Sequence, residues 1–72
     1  MEVGKFYRVI FKDDDTALVH VLSQANSYQV GECFIGESKF ADLFYLFPNE
    51  LEFYEVTKEK FERDSKIKED AN

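Results

Sequence analysis

Residues 40–56 read FADLFYLFPNELEFYEV, and they hold six of the chain's twelve aromatic residues: Phe40, Phe44, Tyr45, Phe47, Phe53 and Tyr54. The only proline, Pro48, lies in the middle of them. A large side chain contributes roughly 1.5–3 kcal/mol when it is fully buried, so this segment is expected to supply much of the core. Its first half fits two periodicities. At a period of 3.6, Phe40, Leu43, Phe44 and Phe47 form one stripe, with Ser38 available as N-cap and Pro48 as the stop of a helix over about 39–47. At a period of 2, Leu43, Tyr45 and Phe47 alternate with Phe44 and Leu46 along a strand that is apolar on both sides. Aromatic content favours the strand, while spacing, Ala41 and the cap favour the helix, and a short helical turn running into a strand would combine the two. The second half is simpler. Pro48-Asn49-Glu50 makes a tight turn and Leu51–Val56 a closing strand.

Three strands precede this region. Gly4–Lys12 places Tyr7, Val9 and Phe11 on one face and Phe6, Arg8, Ile10 and Lys12 on the other. Apolar residues on both faces point to a sheet that curls on itself. Asp13-Asp14-Asp15-Thr16 reads as a hairpin turn. Ala17–Ser23 is a second strand, Gln24–Ser27 a polar turn, and Tyr28–Ile35 a third strand in which Gly31 marks a bulge or sharp bend. Gly36–Lys39 reads as a loop. After the closing strand, Thr57 is the expected N-cap of a short helix, with Val56 and Phe61 spaced as a hydrophobic staple. Residues 1–57 thus form one small domain, and 58–72 a short helix and a charged, fraying tail.

The fold class expected is mainly β: four to five antiparallel strands and a short C-terminal helix. The alternative is α+β, a helix at about 39–47 packed on a four-stranded antiparallel sheet. With a strand at Leu43–Phe47, the layout from Lys5 to Val56 resembles an SH3-like small barrel. Such barrels have five short bent strands and a helical turn between the last two, where Pro48-Asn49-Glu50 stands. SH3 domains that bind proline-rich peptides carry a groove tryptophan, and this chain has none. Barrels that bind methylated lysine use an aromatic cage, to which Tyr7, Tyr28, Tyr45 and Tyr54 are the available tyrosines. The resemblance implies a fold and transfers no function.

Composition narrows the function classes. Fifteen acidic against nine basic residues give a net charge of −6. Phosphate binding is driven by Lys and Arg, and here these are spread out rather than striped, which argues against direct nucleic-acid binding. One cysteine permits no internal disulfide, and Cys33 reads as a buried, inert thiol. His20, the only histidine, sits between valines and reads as structural. The aspartate run lacks the alternating ligands, glycine and distal glutamate of a calcium loop, so no metal is expected. No phosphate-cradling glycine loop or nucleophile–base motif is present, so no catalytic residue and no cofactor are expected. No signal peptide or membrane span is apparent, and a cytoplasmic chain with no membrane partner is the expectation.

The leading functional expectation is therefore a non-enzymatic, acidic protein-interaction module. It would act as a small antagonist or regulator on the basic, nucleic-acid-binding surface of a partner protein. Small phage or mobile-element proteins that disable host defence enzymes share this general character. The candidate partner-binding residues are Asp13, Asp14, Asp15, Glu37, Asp42, Glu50, Glu52 and Glu55, with Tyr45 and Tyr54 as ring anchors beside them. A second expectation is an oligomeric protein that binds or sequesters a small ligand such as a nucleotide, for which Lys5, Arg8, Lys12 or Lys39 would have to converge. A third is an accessory subunit of a larger assembly.

Overall fold

The computed structural model describes residues 1–28 and 31–63. Five strands, β1 (Phe6–Ile10), β2 (Thr16–Ser27), β3 (Gly31–Glu37), β4 (Leu43–Leu46) and β5 (Glu52–Val56), form one antiparallel sheet in the order β4-β3-β2-β1-β5. A 3-10 turn, Pro48–Glu50, joins β4 to β5. A short helix, α1 (58–63), follows β5. This is the mainly β layout of five antiparallel strands and a short C-terminal helix that the strand reading of the aromatic stretch implies.

The sheet curls. In a flat sheet β4 would lie three strand spacings from β1, about 14 Å away. Instead the Phe44 ring on β4 and the Phe11 ring just after β1 are 5.9 Å apart. Leu46 of β4 joins Tyr7, Val9, Val19, Val21 and Phe34 in a single buried cluster. The valines and Leu46 are sealed from water, so much of the innermost core comes from β1 and β2. The aromatic stretch places only Leu46 there. Phe44, Leu51 and Phe53 pack around the cluster half-buried, while Phe40, Tyr45 and Tyr54 are exposed, so the stretch supplies less of the core than its ring content suggests.

The α+β alternative is incorrect: residues 39–47 form a turn and then a strand. Ser38 N–H donates to Asp42 O (2.9 Å) and Ala41 N–H to Ser38 O (3.1 Å), with Ala41 left-handed at φ 68°. Ser38 does use its hydroxyl as a cap, accepting from the amides of Phe40 (3.1 Å) and Asp42 (3.2 Å). It caps a hairpin loop, and a left-handed residue stops the chain from continuing as a helix. The strand then satisfies the backbone of β3, pairing Phe34 with Leu46, Ile35 with Tyr45, Gly36 with Phe44 and Glu37 with Leu43. The aspartate turn repeats the same device. Phe11 N–H donates to Asp15 O (2.8 Å), Asp14 N–H donates to Phe11 O (2.9 Å), and Asp14 is left-handed at φ 69°.

Two boundaries differ from the sequence reading. Gln24–Ser27 is not a turn but the distal half of β2, paired with Gly31–Phe34 and braced by Gln24 Nε2 donating to Glu32 Oε2 at 2.6 Å. The bulge lies at Leu22, where the register jumps from Val21↔Gly36 to Ser23↔Ile35, rather than at Gly31. Gly31 opens β3 with φ 78°, and Gly36 is strand rather than loop. A Cβ on Gly36 would lie 2.9 Å from Leu46 Cδ1 and 3.1 Å from Val19 Cβ, so this glycine lets β4 close over the core.

The opposite face of the sheet is covered in part by α1. Thr57 Oγ1 accepts the Lys60 amide at 3.0 Å, the expected N-cap. Phe61 is buried against Phe6 (5.0 Å between centroids), which also stacks on His20 (4.4 Å). His20 thus sits in a ring stack, and Cys33 is buried. The tail expected beyond 63 lies outside the described residues.

Candidate protein-interaction groove

The two hairpin loops, the 3-10 turn and the exposed strands distribute the candidate residues very differently. An open groove of about 640 Å³ runs between the β1–β2 loop, β4 and the 3-10 turn. Phe11, Ala17, Phe44, Phe47 and Leu51 form its apolar surface, and Asp13, Asp15 and Glu50 stand among its polar residues. Tyr45 borders it. Thus four of the ten candidate residues converge: Asp13, Asp15, Tyr45 and Glu50.

The local cause is visible in the chain. The left-handed Asp14 tightens the β1–β2 loop, and Asp13 Oδ1 accepts the Asp15 amide at 3.1 Å. This closes an aspartate turn whose carboxylates are exposed. Pro48 starts the 3-10 turn, closed by Glu50 N–H donating to Phe47 O at 2.8 Å. That turn carries Glu50 to the same groove. The rings below reach it because the sheet curls. The Lys12 ammonium lies 3.5 Å from Glu50 Oε1, an ion pair with both side chains largely in water. Among the described residues Asp13 and Asp15 have no ion-pair partner.

The other candidates lie elsewhere. Asp14 is in the same loop but does not line the groove, and Asp42 is on the β3–β4 loop. Glu52 and Tyr54 lie on the outward side of β5, opposite Ile10 and Arg8, where Tyr54 Oη donates to Glu52 Oε1 at 3.3 Å. Glu55 accepts from Lys5 Nζ at 3.3 Å, and its hydrogen bond and charge raise the Lys5 pKa above the ordinary lysine value. Glu37 lines a second open groove beside α1, with His20, Lys39, Glu59, Phe61 and Arg63. That groove is mixed in charge and internally paired: Arg63 meets Glu59 at 3.3 Å and Lys39 Nζ donates to Glu62 O at 3.0 Å.

The four tyrosines do not make a cage. Tyr7 is buried and its hydroxyl accepts the Glu2 amide (2.8 Å), Tyr28 is at the β2–β3 tip, and Tyr45 and Tyr54 stand on opposite edge strands. Nor do the cations expected for a nucleotide converge. Lys12 lines the first groove, Lys39 the second, and Lys5 and Arg8 neither. Among the described residues no three His, Cys, Asp or Glu side chains are placed to hold a metal ion, and no helix is long and apolar enough to cross a membrane.

What the sequence reading missed is the apolar half of the groove: Phe11, Phe44, Phe47 and Leu51 all read as core. Lys12 was named only as a cation for a nucleotide, and its place beside Asp13-Asp14-Asp15 was not read as the rim of an acidic groove. Comparison with known protein families, with curated proteins and with solved structures found no match. The fold and the groove therefore define a class only, a small curled β-sheet domain with an acidic, aromatic-lined groove.

Proposed function

We propose that this chain is a non-enzymatic protein-interaction module, a small antagonist or regulator that occupies a basic, nucleic-acid-binding surface of a partner protein. One observation carries the reading: Asp13, Asp15 and Glu50, brought from two loops far apart in the chain, share one groove with exposed apolar surface. Carboxylates speed and orient encounter with a basic surface, and the rings beside them supply area that water leaves on binding. Glu52 and Glu55 lie outside this groove on opposite faces of β5, and Glu55 is already paired with Lys5. A phage or mobile-element role against host defence nucleases fits this profile, and the partner sought is a nucleic-acid-binding protein.

Immobilised full-length chain is exposed to bacterial lysate, and the captured protein is then purified and tested for nucleic-acid binding with and without the chain. The expected result is specific capture that about 0.5 M salt weakens, because ions screen exposed charge, together with loss of nucleic-acid binding by the captured protein. Capture of no specific protein at either salt, or a captured protein whose nucleic-acid binding is unchanged, would overturn the reading.

A further inference from the structure

We propose that the groove receives a cationic side chain of the partner, arginine above all, and that Lys12 competes for the same position. The inference rests on the interaction-module reading and specifies what enters the groove. The charged groups that line it are three carboxylates, Asp13, Asp15 and Glu50, and one ammonium, Lys12, a net charge of −2. An anionic group would meet three like charges there, and a purely apolar one would leave the carboxylates without a counter-charge.

A long cationic side chain fits both halves of the site. Its aliphatic stem lies along apolar surface while its head group stays with the carboxylates at the edge. The Phe11 and Phe44 rings, 5.9 Å apart and inclined at 30°, supply faces on which a cation is favoured. Arginine suits this better than lysine, because its planar fork bonds a carboxylate at two points and stacks on rings.

Lys12 shows that a cation is accommodated at the rim, yet its hold is loose. Its 3.5 Å approach to Glu50 is long, and the two side chains are 76% and 57% exposed. Exposed pairs of this kind contribute little, so an incoming guanidinium displaces the ammonium easily. Lys12 then repels the newcomer as well as occupying Glu50, and its removal strengthens binding.

Fluorescence anisotropy of a fluorescein-labelled peptide of alternating alanine and arginine, titrated with the full chain, tests this. A peptide of alternating alanine and glutamate serves as control. The wild-type chain binds the arginine peptide and not the glutamate peptide. The triple variant Asp13→Asn, Asp15→Asn, Glu50→Gln binds at least about ten-fold more weakly, as expected when several charged hydrogen bonds are lost. The charge-matched triple variant Glu32→Gln, Glu59→Gln, Glu62→Gln stays within about two-fold, because exposed charges away from the site contribute little. Lys12→Ala binds about two- to five-fold more tightly, the scale of one exposed ion pair.

Thermal melts of each variant confirm folding, and the side-chain carbonyl introduced by Asp13→Asn retains an acceptor for the backbone amide of residue 15. Equal weakening by the two triple variants, weaker binding by Lys12→Ala, or no binding of the arginine peptide by the wild type would overturn the proposal. Lysate capture decides the broader reading separately. A partner captured through residues other than Asp13, Asp15 and Glu50 leaves that reading standing without the groove. A groove that binds the peptide in a chain that captures nothing leaves the groove without that reading.

Discussion

Gly36→Ala adds one methyl group at the point where β4 closes over the core. An ideal Cβ there lies 2.9 Å from Leu46 Cδ1, 3.1 Å from Val19 Cβ and 3.3 Å from Val19 Cγ2. Leu46 and Val19 are both completely buried, so neither can swing into solvent to make room. Inserting a methyl into a packed core costs about 1–3 kcal/mol, and two immobile neighbours place this site near the middle, about 2 kcal/mol. A chain of this length has roughly 4–11 kcal/mol of total stability, so the loss is a substantial fraction of it. The midpoint of thermal unfolding falls by about 8–16 °C, at about 4–8 °C per kcal/mol for a domain of this size. Urea unfolding followed by circular dichroism gives the free energy directly. A double-mutant cycle with Leu46→Val, which removes the Cδ1 atom, should recover about 1 kcal/mol relative to the sum of the single changes. A change below about 0.5 kcal/mol for Gly36→Ala, or strict additivity in the cycle, would refute the close approach of β3, β4 and β2.

Three other perturbations probe separate parts of the fold. Ala41→Gly relieves a left-handed alanine and should stabilise the domain by about 0.5–1 kcal/mol after the greater freedom of glycine in the unfolded chain is subtracted; urea midpoints check this, and destabilisation would contradict the loop geometry. Phe61→Ala removes the ring that covers Phe6 and should cost about 3 kcal/mol, whereas Thr57→Ala removes the helix cap and should cost about 1 kcal/mol; equal costs would contradict docking of α1 through Phe61. The Lys5 pKa is raised by the hydrogen bond and charge of Glu55, so the stabilisation from this pair is fully present below the unfolded-state value of about 10.4 and is lost as pH rises through the folded-state value. The difference in melting temperature between wild type and Lys5→Gln should be constant from about pH 7 to 9 and close in more alkaline solution; a difference that persists unchanged there would rule this out.

The sequence was most informative where one periodicity had no competitor. The alternation of β1 groups Tyr7 with Val9, which the fold buries together, and the Thr57 cap and Phe61 mark α1. It was ambiguous at 40–47, where Phe40, Leu43, Phe44 and Phe47 satisfy a helical stripe by coincidence of spacing. The demand of β3 for a paired backbone is non-local, and local pattern carries no trace of it. Gln24–Ser27 looked like a turn because Gln24, Ala25 and Asn26 are exposed although they pair with β3. Asp13, Asp15, Tyr45 and Glu50 were legible as individual surface residues. Their meeting in one groove was not, because it depends on the curl that brings Phe44 to Phe11.

Chemical-shift mapping by nuclear magnetic resonance of the isotopically labelled full chain, titrated with the alanine–arginine peptide, tests the groove most directly. Backbone amide changes are expected to concentrate at Lys12–Ala17, Phe44–Phe47 and Glu50–Leu51, and to shrink in the Asp13→Asn, Asp15→Asn, Glu50→Gln variant. Changes centred on β5 and α1, or spread evenly over all acidic residues, would contradict it.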